Sequence, residues 1–414
     1  TKNIATVQLP YYTNRIIWSE WCEAMSISEN SSTPGRSQRA GRYVRQTRGY
    51  SAFIPETLPP SDLELKGPVT ASLSRADLAL GRLDGAVETL PHPELFTAMY
   101  VRREAVLSSQ IEGTQASLDD LVAAEARLRG DRPLGDVNEV INYTAALNFG
   151  LARLAELPLS GRLLREIHEI LMTGVRGGHA TPGAFRTTQN WIGAAGATLS
   201  DAVFVPPPPE TVPDQIGALE KFLHRPTALP LLVQIGLAHA QFETIHPFVD
   251  GNGRLGRLLI TFLLCERSVL SKPVLYVSLT LKKRRQEYYQ RLQAVRDHGA
   301  WEEWLVFFLD CVAEAALDAA RLAKSILSLR EAHRDTIVNE MGARAGKAIR
   351  LLERLYRDPY IEVNEAVRML GVSYANANTI VWDMERLGIL REATGQQRNR
   401  IFVYEDYIAL FREL

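Results

Sequence analysis

Within twelve residues, 246–257, the chain reads His-Pro-Phe-Val-Asp-Gly-Asn-Gly-Arg-Leu-Gly-Arg. An imidazole, a carboxylate, an amide, two guanidiniums and the glycines Gly251 and Gly253 fall together. That inventory suits holding a triphosphate with a metal while a base takes a proton from an attacking hydroxyl. Gly251 and Gly253 remove side chains where the chain turns into a helix, so backbone N–H groups can approach an anion. The helix N-terminus adds roughly half a positive charge at that point. Asn252 can hydrogen-bond a phosphate oxygen. Arg254 and Arg257, three apart, project from one helix face, and guanidiniums clamp phosphate bidentately. Asp250 is a hard oxygen ligand suited to Mg²⁺ bridging phosphates. His246 can accept a proton near neutral pH. Pro247 and Phe248 read as structural, with Phe248 pointing into the core. Each residue alone carries little; polar residues this dense have no packing role before an apolar helix. A metal hydrolase fits poorly, because His239 and His246 are seven apart and one carboxylate is near.

The elements that must position this stretch are mostly helical. Leu255, Leu258, Leu259, Phe262 and Leu263 recur at helical spacing directly after it. Further helices are expected at 95–110, 137–156, 161–173, 212–223, 228–243, 254–267, 283–297 and 301–330. Segment 184–209 differs. Its β-like runs at 185–192 and 202–205, joined by a Gly-rich stretch and followed by Pro206 to Pro209, predict a β-hairpin ending in polyproline. Such an insertion serves as a lid or a docking edge. Residues 27–41 are Ser-rich and read as a linker. Arg36, Arg39, Arg42, Arg45 and Arg48 recur every third residue, as in a solvated basic segment.

The chain has 414 residues, 46% hydrophobic and 23% charged, which gives room for two or three ordinary globular domains. A net charge of −1 exerts no global pull toward nucleic acid or anionic membrane. Cys22, Cys265 and Cys311 are odd in number and far apart, so they form no disulfide framework or zinc knuckle. Reduced core thiols in a cytoplasmic protein are expected. No apolar run has the length of a membrane span, and no signal-peptide core follows Lys2.

The 246–257 stretch resembles, at every fixed position, the signature of the Fic-domain family, whose members move AMP from ATP onto a protein hydroxyl. The resemblance extends over roughly residues 42–330. It implies a mostly α fold: a helical core with a β-hairpin flap. By that resemblance His246 is the general base, and Asp250 binds Mg²⁺ on the α- and β-phosphates. Gly251, Asn252 and Gly253 form the anion hole, Arg254 holds the β-phosphate side, and Arg257 the γ-phosphate. Phe248 counts with the nucleotide-binding stretch. Gly183, Ala184, Phe185 and Arg186, with the hairpin to Pro206, look like the flap where a protein target docks, at 185–205. Tyr288, Tyr289 and Leu292 look like the wall of the adenine site; helix-core packing serves the two tyrosines equally well. The resemblance leaves a homodimer open.

Ser108-Ser109-Gln110-Ile111-Glu112-Gly113, far upstream, resembles the family's inhibitory motif. Ser108, Glu112 and Gly113 occupy its fixed positions. Glu112 is then an anion that takes Arg257 in place of the γ-phosphate. A helix C-terminus with a glycine cap would give the same short pattern. Some relatives also remove AMP, using the inhibitory Glu to position water; that role stays open for Glu112.

The last seventy residues form a separate unit. Helices at 345–356 and 363–370, a turn with N-cap Ser373, a helix to 387 and two short strands around Gly395 make the winged-helix pattern. A nucleotide-sensing, DNA-binding regulator is therefore the competing reading. Residues 344–414 hold eleven basic and ten acidic residues, and residues 374–382 have no Lys or Arg. That balance gives no basic footprint. Asn376 and Asn378 could read adenine edges, and Arg398 and Arg400 could touch phosphate; DNA is not the favoured partner. The expected organisation is an irregular extension (1–41), a helical region with the inhibitory motif (42–135), a catalytic core (136–330) and a winged helix (340–414).

Overall fold

The computed structural model describes residues 39–412 apart from 48, 89, 91–92, 126–134, 176–180, 194–196, 271 and 397. Most of the expected N-terminal extension, with Cys22 and Arg36, and also Arg48, lie outside the described residues. Arg39 is no solvated strip residue: it pairs with Asp62 and, at 2.8 Å, with Glu302.

The described chain opens with an antiparallel hairpin, β1 (Gly41–Arg45) and β2 (Ser51–Pro55), in which Gly41 faces Pro55. Helix α1 (Pro68–Glu88) starts at a proline whose missing N–H costs nothing in the first turn. Then come α2 (Pro93–Ile111), α3 (Leu118–Glu125), α4 (Gly135–Arg153) and α5 (Gly161–Met172). The core continues with α6 (Val212–His224), α7 (Leu231–Ile245), α8 (Asn252–Glu266), α9 (Ser278–Lys283) and α10 (Arg285–His298). Every residue of α7 from Leu232 on is buried, and α8 is buried on nearly all sides. Helices buried on all sides occupy a core centre. The 246–251 loop therefore hangs between the two most enclosed helices of the molecule.

Helix α11 (Trp301–Glu340) has 40 residues, about 60 Å of helix. It lies along α1 and runs without a break past the expected end at 330 into the C-terminal unit. That unit comprises α12 (Ala345–Leu355), β3 (Tyr360–Glu362), α13 (Val363–Leu370), α14 (Tyr374–Arg386), β4 (Arg391–Glu392), β5 (Ile401–Val403) and α15 (Glu405–Arg412). The strands form an antiparallel sheet in the order β3-β5-β4. Ser373 caps α14 as expected, accepting from the Asn376 N–H. Strand β3 and helix α15 had no sequence signal, because a three-residue strand and a two-turn helix are too short to show a period. The unit docks on the N-terminal helices through Arg102–Asp358 (3.1 Å) and Arg412–Asp119.

Among the described residues the expected flap hairpin shows one reciprocated bridge, Ile192 with Phe204 (2.8 and 3.1 Å). Pro206 to Pro209 lack the N–H that a ladder needs. Side chains also take main-chain acceptors here: Gln189 donates to the Pro206 carbonyl and Asn190 to the Phe248 carbonyl. Among the described residues no helix is long and apolar enough to cross a membrane. Burial pushes the Cys265 and Cys311 thiols up to about 11 and about 12, consistent with inert core thiols.

Candidate active site

Helix α7 ends because His246 adopts the left-handed conformation, φ 50° and ψ 59°. For a non-glycine residue this costs about 1–2 kcal/mol. A buried clamp, Arg186, holds it there. The Arg186 N–H donates to the Pro247 carbonyl (2.9 Å), and its Nε to the His246 carbonyl (2.9 Å). Its Nη2 donates to the Pro207 carbonyl (2.6 Å). Arg186, expected in a target-facing flap, thus serves the backbone under the histidine.

The rest of the loop is closed by residues whose chemistry points inward. Asn252 spends both ends of its amide on Phe248: Oδ1 accepts from the Phe248 N–H (2.9 Å) and Nδ2 donates to its carbonyl (2.8 Å). The amide expected on a phosphate therefore folds the loop instead. Phe248, counted with the nucleotide-binding residues, is fully buried and stacks on His168 at 3.7 Å. His168 Nδ1 accepts from the Gly183 N–H, so its Nε2 donates to the Asp250 carbonyl (2.9 Å). Sequence reasoning missed His168; its only signal was a place on the buried face of α5.

The His246 ring is partly accessible, while its Nδ1 is buried without a hydrogen-bond partner. Burial, then the charges of Arg186 and Arg296, pull its pKa down to about 3. The imidazole is neutral at physiological pH, the form a general base needs.

Helix α8 begins at Gly251, whose φ of 78° favours glycine and whose missing side chain leaves room for Met172 and His168. Asp250 is 44% exposed, its Oδ1 accepting from the Gly251 N–H (2.6 Å). Among the described residues no group of three or more His, Cys, Asp or Glu could cage a metal. One exposed carboxylate fits a hydrated Mg²⁺ shared with phosphates and does not fit an all-protein site. Arg254 and Arg257 are both buried behind this turn.

Arg257 is already engaged. Its Nε donates to Ser108 Oγ (2.8 Å), and its Nη2 to the Ser108 carbonyl (2.9 Å) and to Glu112 Oε1 (2.8 Å). Burial opposes the guanidinium charge; Glu112, Tyr288, Tyr289 and Glu243 overcome that and raise its pKa above the ordinary value. A Cβ at Gly253 would stand 2.2 Å from Glu112 Oε1. The Glu112 carboxylate therefore lies against the bare backbone at the N-terminus of α8, where an anion is held best.

Tyr288 does not face a ligand space. It is buried, and its hydroxyl donates to His239 Nε2 (2.8 Å), while His239 Nδ1 serves the Gly256 carbonyl. Tyr289 is half-buried and stacks tilted on Tyr288 under Arg285. Two further carboxyls unsignalled in the sequence, Glu104 and Glu243, are buried near Arg257; desolvation raises each to about 7.

These groups fix a pH dependence of stability. Burial lowers His168 and His239 from 6.5 to about 4 and His246 to about 3. Their contribution is complete above pH 6.5 and drains away as pH falls. Glu104 and Glu243, raised from 4.5 to about 7, stabilise fully below 4.5 and lose that contribution as pH rises through 7. Between 4.5 and 6.5 the unfolded chain binds three protons on these groups and the folded chain two. Stability should then climb with pH at about 1.4 kcal/mol per unit, more steeply in stronger acid. Thermal melts from about pH 4 to 8 should peak near 6.5, where these opposing contributions cross. A midpoint that stayed flat on acidification to pH 4.5 would rule this out.

With this geometry in view, residues 70–152 match the Fic/DOC family N-terminal region and residues 158–264 match the Fic/DOC family itself. The chain carries a Fic/DOC N-terminal region and a Fic/DOC domain. Residues 108–113 and 246–257 both lie inside the Fic/DOC matches. The chain is similar to a probable protein adenylyltransferase of Aquifex aeolicus, 31% identical over 184 residues, 43% of this chain and 52% of the relative. It is also similar to protein adenylyltransferase Fic of Drosophila grimshawi, 29% identical over 311 residues, 74% of this chain and 56% of the relative. The chain thus spans about half the length of these curated relatives. A crystal structure of a Fic family protein from Desulfovibrio desulfuricans G20 shares the fold, with a TM-score of 0.53 at 20% identity, covering 83% of this chain and 97% of that one.

Proposed function

We propose that the protein transfers AMP from ATP to a Ser, Thr or Tyr hydroxyl of a protein, itself included, and that Glu112 restrains it. The observation that carries this is the meeting of Glu112 with Arg257 over Gly253. A carboxylate sits where an ATP phosphate would be bound, beside a neutral, strained histidine.

The target hydroxyl oxygen bonds to the α-phosphorus as the bond to the bridging oxygen on the β-phosphate side breaks. Diphosphate leaves with that electron pair, and the hydroxyl proton passes to His246. Burial, then the charges of Arg186 and Arg296, keeps the ring neutral beforehand. Triphosphate charge beside it would raise its basicity toward neutrality when the proton must be taken. The N-terminus of α8 and Arg254 hold the β-phosphate side, and Arg257, once Glu112 leaves, the γ-phosphate. Mg²⁺ bound at Asp250 would supply neutralisation of phosphate charge. Catalysis is positioning plus electrostatics. The target backbone docks along 185–205, where an extended segment with a single bridge leaves an edge for strand addition. Incubation with labelled ATP tests the transfer, as set out in the Discussion.

The C-terminal unit is read as a winged helix that contacts protein. Helix α14 exposes Tyr374 and Trp382, both apolar and aromatic. Arg400 is occupied by Asn378 (3.0 Å) and lies over the Phe402 ring. Random duplex DNA at low salt should therefore give no mobility shift. A shift that weakened as salt was added would restore the DNA-regulator reading.

A further inference from the structure

We propose that Glu139 is a positioning residue that sets Arg254 for phosphate and, by sharing one oxygen with Thr114, lets the inhibitory turn hold both arginines of the cradle. The inference rests on the ATP site proposed above and adds a second hold to it.

Glu139 lies in the second turn of α4 and is almost fully buried. Its Oε2 accepts from the Thr114 hydroxyl (2.7 Å) and from Arg254 Nη1 (3.3 Å). Arg254 is equally buried; its other near groups are Met172 Sδ (3.3 Å) and Asp250 (3.8 Å), and its Nε has no partner. One turn before Glu139, Asp136 accepts from the Gln115 N–H (2.8 Å). The first turns of α4 thus grip residues 114–115, which follow Glu112 and Gly113 directly. The contacts close a ring around the N-terminus of α8: Arg257 to Glu112, along the chain to Thr114, across to Glu139, and on to Arg254.

The distances say how the ring works. A guanidinium–carboxylate bond is usually about 2.7–2.9 Å. The Glu139–Arg254 bond is longer because the same oxygen also serves Thr114. When Glu112 moves off Arg257, Gly113 and Thr114 move with it. Glu139 Oε2 is then released from Thr114 to Arg254, and the guanidinium is fixed for an incoming phosphate. Release of one arginine and orientation of the other become a single event.

ATP and AMP titration calorimetry on the full chain tests this. In a Glu112→Gly background, Glu139→Ala should weaken ATP about tenfold, the size of one charge-assisted hydrogen bond. AMP, which lacks the phosphates Arg254 would hold, should keep its affinity. Glu139→Gln, which retains an acceptor oxygen, should show a smaller loss, again for ATP only, and decides the matter if the alanine variant fails to fold. Thr114→Val should tighten ATP several-fold in the parent chain and change nothing in the Glu112→Gly background. Equal losses for ATP and AMP would make Glu139 merely structural and overturn the proposal, as would unchanged ATP binding in both Glu139 variants. If the ATP-selective pattern holds while the Glu112→Gly chain transfers no AMP, the positioning role stands and the proposed activity falls.

Discussion

Glu112→Gly raises AMP transfer by about a hundredfold or more. Glu112 and a γ-phosphate cannot share Arg257, because the carboxylate is 2.8 Å from Nη2 and lies against Gly253. Breaking a buried ion pair costs about 3–5 kcal/mol. The Glu112 side chain is 26% exposed, so water screens part of that and the lower figure is the right one. About 3 kcal/mol is about two powers of ten in occupancy of the competent state. The same substitution should destabilise the nucleotide-free fold. It leaves Arg257, 1% exposed, with Ser108 as its remaining hydrogen-bond partner and with carboxyls at Glu104 and Glu243 that burial raises to about 7, so that they are only partly ionised near neutral pH. ATP should restore what is lost, so ATP raises the melting temperature more in the variant than in the parent. Labelling no stronger than the parent's would sink the inhibitory role.

His246→Ala removes transfer, by about 10²–10⁴-fold, the usual share of a general base. Its ATP affinity should stay near the parent's, because no phosphate contact is assigned to the ring. Alanine is strained at φ 50°, so His246→Asn is the companion variant, asparagine tolerating the left-handed region better. Loss of transfer in both variants with ATP binding intact locates the defect in the imidazole. Loss of ATP binding in both would assign His246 to nucleotide holding instead.

The site was legible in sequence where chemistry is dense and local. Residues 246–257 read as a base, a hard carboxylate and an anion cradle, and the structure gathers Asp250, Gly251, Gly253, Arg254 and Arg257 at the start of α8. Glu112 reaches Arg257 across 145 positions, and only a resemblance could have joined the two. What spacing could not tell was direction. Asn252 and Arg186 look like ligand-binding side chains and are spent on backbone, because a tight loop between two buried helices has carbonyls and N–H groups to satisfy. Of the two readings open for Tyr288, wall or core, the structure shows core, pinned by a buried His239. The longer core helices were predictable from their period, whereas the short α3, α9 and α15 were not. The flap was not, since side chains of Gln189 and Asn190 and a run of prolines replace its ladder. Glu139, Glu104 and Glu243 gave no signal, because a lone glutamate in a helix is ordinarily a surface residue.

Intact-mass spectrometry of the Glu112→Gly chain after incubation with ATP and Mg²⁺ decides whether Glu112 restrains AMP transfer from this site. The account requires added mass equal to one or more adenylyl groups, mapped to Ser, Thr or Tyr hydroxyls, far above the parent chain and absent from the Glu112→Gly, His246→Ala double variant. No adduct on the Glu112→Gly chain, or the same adduct in the double variant, would contradict it.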